Sequence, residues 1–217
     1  MDTSDEARDY DAMDHAEVNA RFCDDLLAEG AVGPRVLDVG TGTALIPITL
    51  CGREPDVHVV AIDLAEHMLA LAKKNVARAG LQDRIMLEKV DAKGMPFPDG
   101  SFGSAVSNSI IHHIPSPRAT FAEMYRVTAR GGLVFVRDLA RPADAAAVDA
   151  LVLRYAGAPP GGDAAHVSWA SQRALLRASL EAGLTVTEVE VLAQEAGMNA
   201  VVRMTSDRHW TLTCRKP

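Results

Sequence analysis

The sequence predicts an α/β fold in three layers: a mostly parallel sheet covered by helices on both faces. Three observations carry this. Short apolar runs alternate with amphipathic helical segments from Asp14 to Val136, the rhythm of successive β–α units. The runs are apolar throughout and do not alternate with polar residues, as expected of strands buried on both faces. The first of them, Arg35 to Val39, leads into Gly40-Thr41-Gly42-Thr43, which reads as strand, tight loop and helix start.

The first periodic segment, Asp14 to Glu29, places Val18, Phe22, Leu26 and Leu27 on one helical face, and Gly30, Gly33 and Pro34 end it. After the glycine loop a helix runs from Ala44 to Cys51. Val57 to Ile62 is the second strand, ending at Asp63. Ala65 to Ala79 is a helix with Met68, Leu69, Ala72 and Val76 inward and Gly80 at its C′ position. Ile85 to Val90 is the third strand, ending at Asp91, and Gly94 to Gly100 is loop. Ser104 to Ser109 is the fourth. Ser116 and Pro117 form an N-cap and N1 pair for a helix to Ala129, with Phe121, Met124 and Tyr125 inward. Arg130-Gly131-Gly132 stops that helix, and Leu133 to Val136 is the fifth strand.

Beyond Asp138 the rhythm changes. Pro142 to Tyr155 and Trp169 to Ala182 are two helical stretches with no strand between them, joined through the break from Gly157 to Gly162. They read as a helical insertion after strand five, a candidate lid over the sheet. In the next segment Val189, Val191 and Ala193 alternate as in a strand. Thr185 with Glu188 forms a capping box, however, and Gly197 supplies a stop, so the segment reads as helix. Asn199 to Met204 and His209 to Cys214 read as an antiparallel edge hairpin, with Trp210 in the core. The expected organisation is one domain over residues 1–217. It comprises an N-terminal helical cap (1–34), a ligand-binding core (35–138), the lid (139–184) and a closing helix and hairpin (185–217).

With 48% hydrophobic and 24% charged residues, a disordered or fibrous chain is excluded. The formal charge of −7 counts against nucleic acid as the main partner. Cys23, Cys51 and Cys214 share no metal-ligand spacing and read as reduced core thiols. The acidic N-terminus lacks the apolar run of a signal peptide, and no stretch is long and apolar enough for a membrane span. The expectation is a cytoplasmic protein.

The chemistry-bearing stretch is Val36 to Ala44, with Asp63 and Asp91 at the ends of the next two predicted strands. Glycines between strand and helix let a ligand approach the backbone closely. The helix start behind them offers free amide donors and the positive end of the helix dipole. Asp63 stands where a carboxylate can accept both hydroxyls of a ribose; its plainer role is a turn residue or helix cap. A dinucleotide fingerprint needs glycine where Leu45 stands, so NAD is not expected, and the Gly-Lys-Ser/Thr of a P-loop is absent. Asp38, two residues before Gly40, would repel a pyrophosphate and suits a cationic or amino-bearing ligand.

The stretches VLDVGTGTALIPITL, AIDLAEHMLALAKKN, VDAKGMPFPDGSF, SNSIIHHIPSP and EMYRVTARGGLVFVRDL resemble the class I S-adenosylmethionine-dependent methyltransferases. The likeness is to the small-molecule branch typified by ubiquinone- and menaquinone-biosynthesis enzymes, and it covers Val36 to Asp138. It implies a Rossmann-like, seven-stranded, mostly parallel sheet with an antiparallel final strand. It further implies S-adenosyl-L-methionine as cofactor, S-adenosyl-L-homocysteine as product and a small-molecule acceptor. Asp38, Gly40, Thr41 and Gly42 would then surround the methionine part. Asp63 would hold the ribose, with Leu64 and Met68 near the adenine. Asp91 would accept from the adenine amino group and Ala92 would lend a backbone amide. Asn108 and Ser109 would sit beside the sulfonium. Two positions depart from the pattern. The third glycine is Ala44, which narrows the loop, and the Asp common after Ser-Phe is Gly103, where the effect is expected on the start of the strand.

His112, His113 and Asp138 follow strands four and five and are the candidate catalytic bases, needed where the acceptor carries a proton at neutral pH. Adjacent residues on extended backbone point to opposite sides, so the two histidines do not suggest a metal site, and no metal is expected. Whether either faces the substrate stays open. Tyr10, Asp14 and His15 either cover the cofactor as a flap or lie on the surface. Tyr10, His15 and Tyr155 are the candidate acceptor contacts. Two other functions stand beside small-molecule methylation. Methylation of tRNA or protein is opposed by the acidic balance, and a non-catalytic cofactor-binding subunit is opposed by the intact loop and acids.

Overall fold

The computed structural model describes residues 16–157 and 163–217. Strands β1 (Arg35–Val39), β2 (His58–Asp63), β3 (Ile85–Lys89), β4 (Phe102–Asn108) and β5 (Thr128–Leu139) run parallel. Strand β7 (His209–Arg215) is antiparallel to β5, and β6 (Val201–Met204) closes the edge against β7. The seven-stranded sheet has the order β3-β2-β1-β4-β5-β7-β6. This is the mostly parallel, Rossmann-like α/β sheet with the antiparallel closing hairpin that the sequence predicts.

Burial on both faces explains the apolar strands. Leu37, Val39, Val60 and Ile62 face one layer, where Phe121 and Met124 of α4 (Arg118–Val127) and Val189 of α7 (Val186–Glu195) pack. Val36, Val59 and Ala61 face the other. There they meet α1 (Ala16–Ala28), α2 (Leu45–Arg53) and α3 (Glu66–Ala79) through Phe22, Leu26, Leu50, Ala72 and Val76. Trp210 is fully buried, and its indole N–H donates to the Leu139 carbonyl at 3.0 Å, so β7 is held to the end of β5. All three cysteines are free and buried, and burial pushes the Cys23 thiol up to about 12.

Three local expectations change, and a fourth, at Gly103, holds. The buried stripe of α1 is Asn19, Phe22, Cys23 and Leu26, while Val18 is exposed, so the helix is turned by one residue from the predicted face. Ser116 does not cap α4: its φ is 57°, and Pro117 occupies the N-cap position. Strand β5 begins at Thr128, five residues before the predicted start. Thr128 pairs with Phe102 and Leu133 with Ser104, so the residues between them, including Gly131 and Gly132, bulge out of register. At Gly103 the backbones of two elements touch, and a Cβ there would lie 2.9 Å from the Val32 carbonyl oxygen. The glycine is required by packing at the start of β4.

The helices α5 (Ala145–Ala156) and α6 (Asp163–Ala182) follow β5 without an intervening strand. Asp144 caps α5 by accepting from the Ala147 amide at 2.8 Å. Val148, Val152 and Leu180 pack on Leu139, the last residue of β5. The pair is thereby anchored at the C-terminal edge of the sheet. The capping box of α7 forms as predicted, with Thr185 and Glu188 each bonding the other's backbone amide. Among the described residues no helix is long and apolar enough to cross a membrane.

Candidate active site

A cavity of about 360 Å³ opens where β1, β2 and β4 end. Its floor is the glycine loop between β1 and α2. Four buried side-chain polar atoms among the described residues have no hydrogen-bond partner, and three belong to this floor: Asp38 Oδ2, Thr41 Oγ1 and Thr43 Oγ1. Buried polar groups left unpaired are costly, so their clustering around one cavity marks a polar ligand's place. Burial raises the pKa of Asp38 to about 7; the Thr41 hydroxyl beside it opposes the rise and the charge of Asp63 adds to it.

The loop has little freedom to differ. Gly40 and Thr41 both donate to the Ile62 carbonyl, at 2.9 Å each. Gly40 has φ 74°, and a Cβ there would fall 2.5 Å from the Ile110 side chain, so the loop and the segment after β4 interlock at a glycine. At Gly42 an added Cβ would meet nothing within 4 Å, because the backbone faces the cavity. Ala44 takes φ 64°, a left-handed conformation that a glycine would adopt without strain. Asp63 ties the loop to β2: its Oδ2 accepts from the Gly42 amide at 2.8 Å and its Oδ1 from the Ala65 amide at 2.9 Å. The capping role and a place in the cavity wall therefore coexist in one carboxylate.

The remaining cofactor candidates line the same cavity: Leu64, Met68, Asp91, Ala92, Asn108 and Ser109. Met68 is buried and Leu64 exposed. Asp91 is half exposed and pairs with Lys93 at 2.8 Å, and the Lys93 hydrogen bonds hold its carboxyl below the usual range. Asn19 was not among the sequence candidates. It lines the cavity from α1, is buried, and its side chain makes no hydrogen bond to the described residues. Its signal was a polar residue in the stripe Asn19, Phe22, Cys23, Leu26, at i, i+3, i+4 and i+7.

The histidines sit otherwise than predicted. Ile111 to His113 form a 3₁₀ turn instead of extended backbone, and the two rings lie side by side with centroids 4.0 Å apart. His113 lines the cavity. Burial, with the neighbouring His112, lowers its pKa to about 4. His112 and Asp138 do not line the cavity. Their side chains are buried, and Asp138 Oδ1 accepts from His112 Nδ1 at 2.5 Å. Asp138 also accepts from the Ile111 and Leu139 amides, at 2.5 Å and 2.6 Å. With every oxygen committed to a protein donor and none of its surface exposed, Asp138 is no candidate base for an acceptor; it anchors the turn that carries His113.

Tyr155 is likewise absent from the cavity wall, because its hydroxyl donates to Asp207 at 2.6 Å across to the β6–β7 turn. Tyr10, Asp14 and His15 lie outside the described residues.

A family model described as a methyltransferase domain matches residues 37–136, the segment that supplies all of this cavity's wall except Asn19. The phosphatidylethanolamine N-methyltransferase of Cereibacter sphaeroides is 33% identical over 175 residues, 80% of this chain and 75% of that protein. The demethylmenaquinone methyltransferase of Thermus thermophilus is 34% identical over 108 residues, 50% of this chain and 48% of that one. This chain thus spans three quarters of the first relative and about half of the second. In fold it is similar to a solved S-adenosylmethionine-dependent methyltransferase from Aquifex aeolicus. The TM-score is 0.71 at 18% identity, covering 98% of this chain and 97% of that one. Sheet order, glycine loop and relatives agree: the chain belongs to the class I S-adenosylmethionine-dependent methyltransferases.

Proposed function

We propose that this methyltransferase acts on a small-molecule acceptor that approaches the cofactor from the His113 side of the cavity, beneath the α5–α6 pair. One observation carries the reading. The orphaned floor atoms and His113, carried on a turn whose Ile111 amide and His112 ring are held by the buried Asp138, meet at the same cavity. The charged lining is Asp38, Asp63 and Asp91 against Lys93, a balance that does not favour a nucleic-acid backbone.

The residues fit S-adenosylmethionine. When bound, the cofactor supplies an electrophilic methyl group on a sulfonium. The orphaned Asp38 Oδ2 would take its ammonium group, a charge-assisted bond. Asp63 has lone pairs left for the ribose hydroxyls, and the glycine loop leaves open backbone beside Gly42. Asp91 and the Ala92 amide would meet the adenine edge, with Leu64 and Met68 supplying its apolar contact. Asn108, Ser109 and Asn19 would border the sulfonium end. The chain's part in the displacement is to align the acceptor and to exclude water, the work proposed for the roof over residues 139–184.

His113 would accept the acceptor's proton where there is one. With its pKa lowered to about 4 it is neutral at pH 7, so a ring nitrogen is free to accept a hydrogen bond from the acceptor, and a bound acceptor that raises this pKa makes it the stronger base. The test is a panel of amine, phenol and thiol acceptors assayed for S-adenosylhomocysteine release. His113→Gln is expected to keep cofactor affinity and to lower kcat about a hundredfold. Unchanged turnover would remove His113 from the chemistry. Tight cofactor binding with no methyl transfer across the panel would favour the non-catalytic subunit instead.

A further inference from the structure

Strand β5 carries two different features at its C-terminal end. Asp138 holds the histidine turn, and two residues later the Ala140 amide donates to the Arg208 carbonyl at 2.8 Å. Arg208 belongs to the turn between β6 and β7, whose next residue, His209, pairs with Leu139. The turn therefore stands at the same edge of the sheet as the cofactor cavity, beside the end of the strand that positions His113.

The guanidinium of Arg208 is placed unusually. It lies 3.4 Å from the centroid of the Tyr155 ring, and no carboxylate or carbonyl among the described residues bonds it. The nearby acid, Asp207, is already taken by Arg154 at 2.5 Å and by the Tyr155 hydroxyl at 2.6 Å. Arg208 is half-buried, and burial lowers its pKa. His209 beside it is pushed down to about 4, first by burial and then by Arg208 and Arg137. Arg137 in turn is paired with Asp25 at 2.6 Å. In a chain of net charge −7, this leaves one guanidinium with its planar fork of donors unspent among the described residues. Tyr155 holds the fork by stacking against it, and Asp207 acts on its charge without taking any of its N–H donors.

We propose that Arg208 is an acceptor-recognition residue, and that the methyl acceptor carries an anionic group, a phosphate or a carboxylate, which this guanidinium binds. The proposal rests on the small-molecule reading above and narrows it to anionic acceptors. Tyr155, expected to contact the acceptor directly, instead positions the residue that selects it.

The test uses the full chain saturated with S-adenosylhomocysteine, titrated by calorimetry with inorganic phosphate, with acetate, and with chloride at matched ionic strength. Saturable binding of phosphate or acetate beyond the chloride control is expected, and which anion binds more tightly identifies the acceptor's group. Arg208→Gln should weaken that binding at least about tenfold, and Arg208→Lys should fall between, because an ammonium keeps the charge but loses the two-bond fork. Unchanged S-adenosylhomocysteine affinity in both variants shows that they are folded and that the cofactor site is separate. Identical anion titrations for wild type and Arg208→Gln, or no response beyond chloride in the wild type, would overturn the proposal. Methyl transfer to the acceptor panel is read on the same protein, so failure of the small-molecule reading is visible independently of Arg208.

Discussion

Replacing Asp63 with alanine is expected to weaken S-adenosylhomocysteine binding at least tenfold, and about a hundredfold where both ribose bonds are lost. The effect has two parts. The charge-assisted bonds proposed to the ribose would disappear, and so would the Gly42 and Ala65 anchors that shape the loop. The second part brings a loss of a few degrees in melting temperature, since two backbone amides lose their acceptor. Asp63→Asn separates the two. Its amide oxygen can still accept from Ala65, but its NH₂ faces the Gly42 amide, so it should bind no better than the alanine variant. Calorimetry and thermal melts on the three proteins check this, and an unchanged dissociation constant would reduce Asp63 to a cap.

Asp138→Ala should act mainly on stability. It strips the acceptor from two backbone amides and from His112 in a site closed to water. Leaving two backbone amides and the His112 N–H without an acceptor in a buried site costs about 1–3 kcal/mol each, which in a chain of this length lowers the melting temperature by about 10 °C or more. Because the turn carrying His113 loses its anchor, turnover should fall along with stability. The glycine loop rests on β2 instead, so cofactor affinity measured well below the melting point should stay within a few-fold. A melting temperature within about 2 °C of wild type would show that the turn is held by something other than Asp138.

What could be read in the sequence was local. The glycine loop, the acids that end β1 and β2, the capping box of α7 and the closing hairpin each depend on residues a few positions apart. What could not be read depends on pairs far apart in the chain. Asp25 with Arg137 is separated by 112 residues, and Tyr155 with Asp207 by 52. No spacing rule links such residues, so in the sequence Tyr155 reads as an acceptor contact and not as a partner of the turn. Asp138 reads in the sequence as a candidate base because the end of a parallel strand is where catalytic groups gather. The sequence carries no sign that the neighbouring His112 closes over it. The one-residue turn of α1 has a similar origin. Val18 is the more apolar residue, but the helix presents Asn19 to a cavity with polar demands, and Val18 is left in solvent.

The central assignment is that the floor around Asp38 receives the ammonium end of S-adenosylmethionine. The direct measurement is calorimetric titration of the wild-type chain with S-adenosylhomocysteine at pH 6 and pH 8, with NAD as the control ligand. Asp38 must be ionised to pair with the ammonium, and its pKa stands near 7, so protonation competes with binding as the pH falls through that value. One-to-one binding of S-adenosylhomocysteine, about tenfold weaker at pH 6 than at pH 8, is the expected result, with no heat from NAD. Binding of NAD, absence of S-adenosylhomocysteine binding at both pH values, or tighter binding at pH 6 would contradict the assignment.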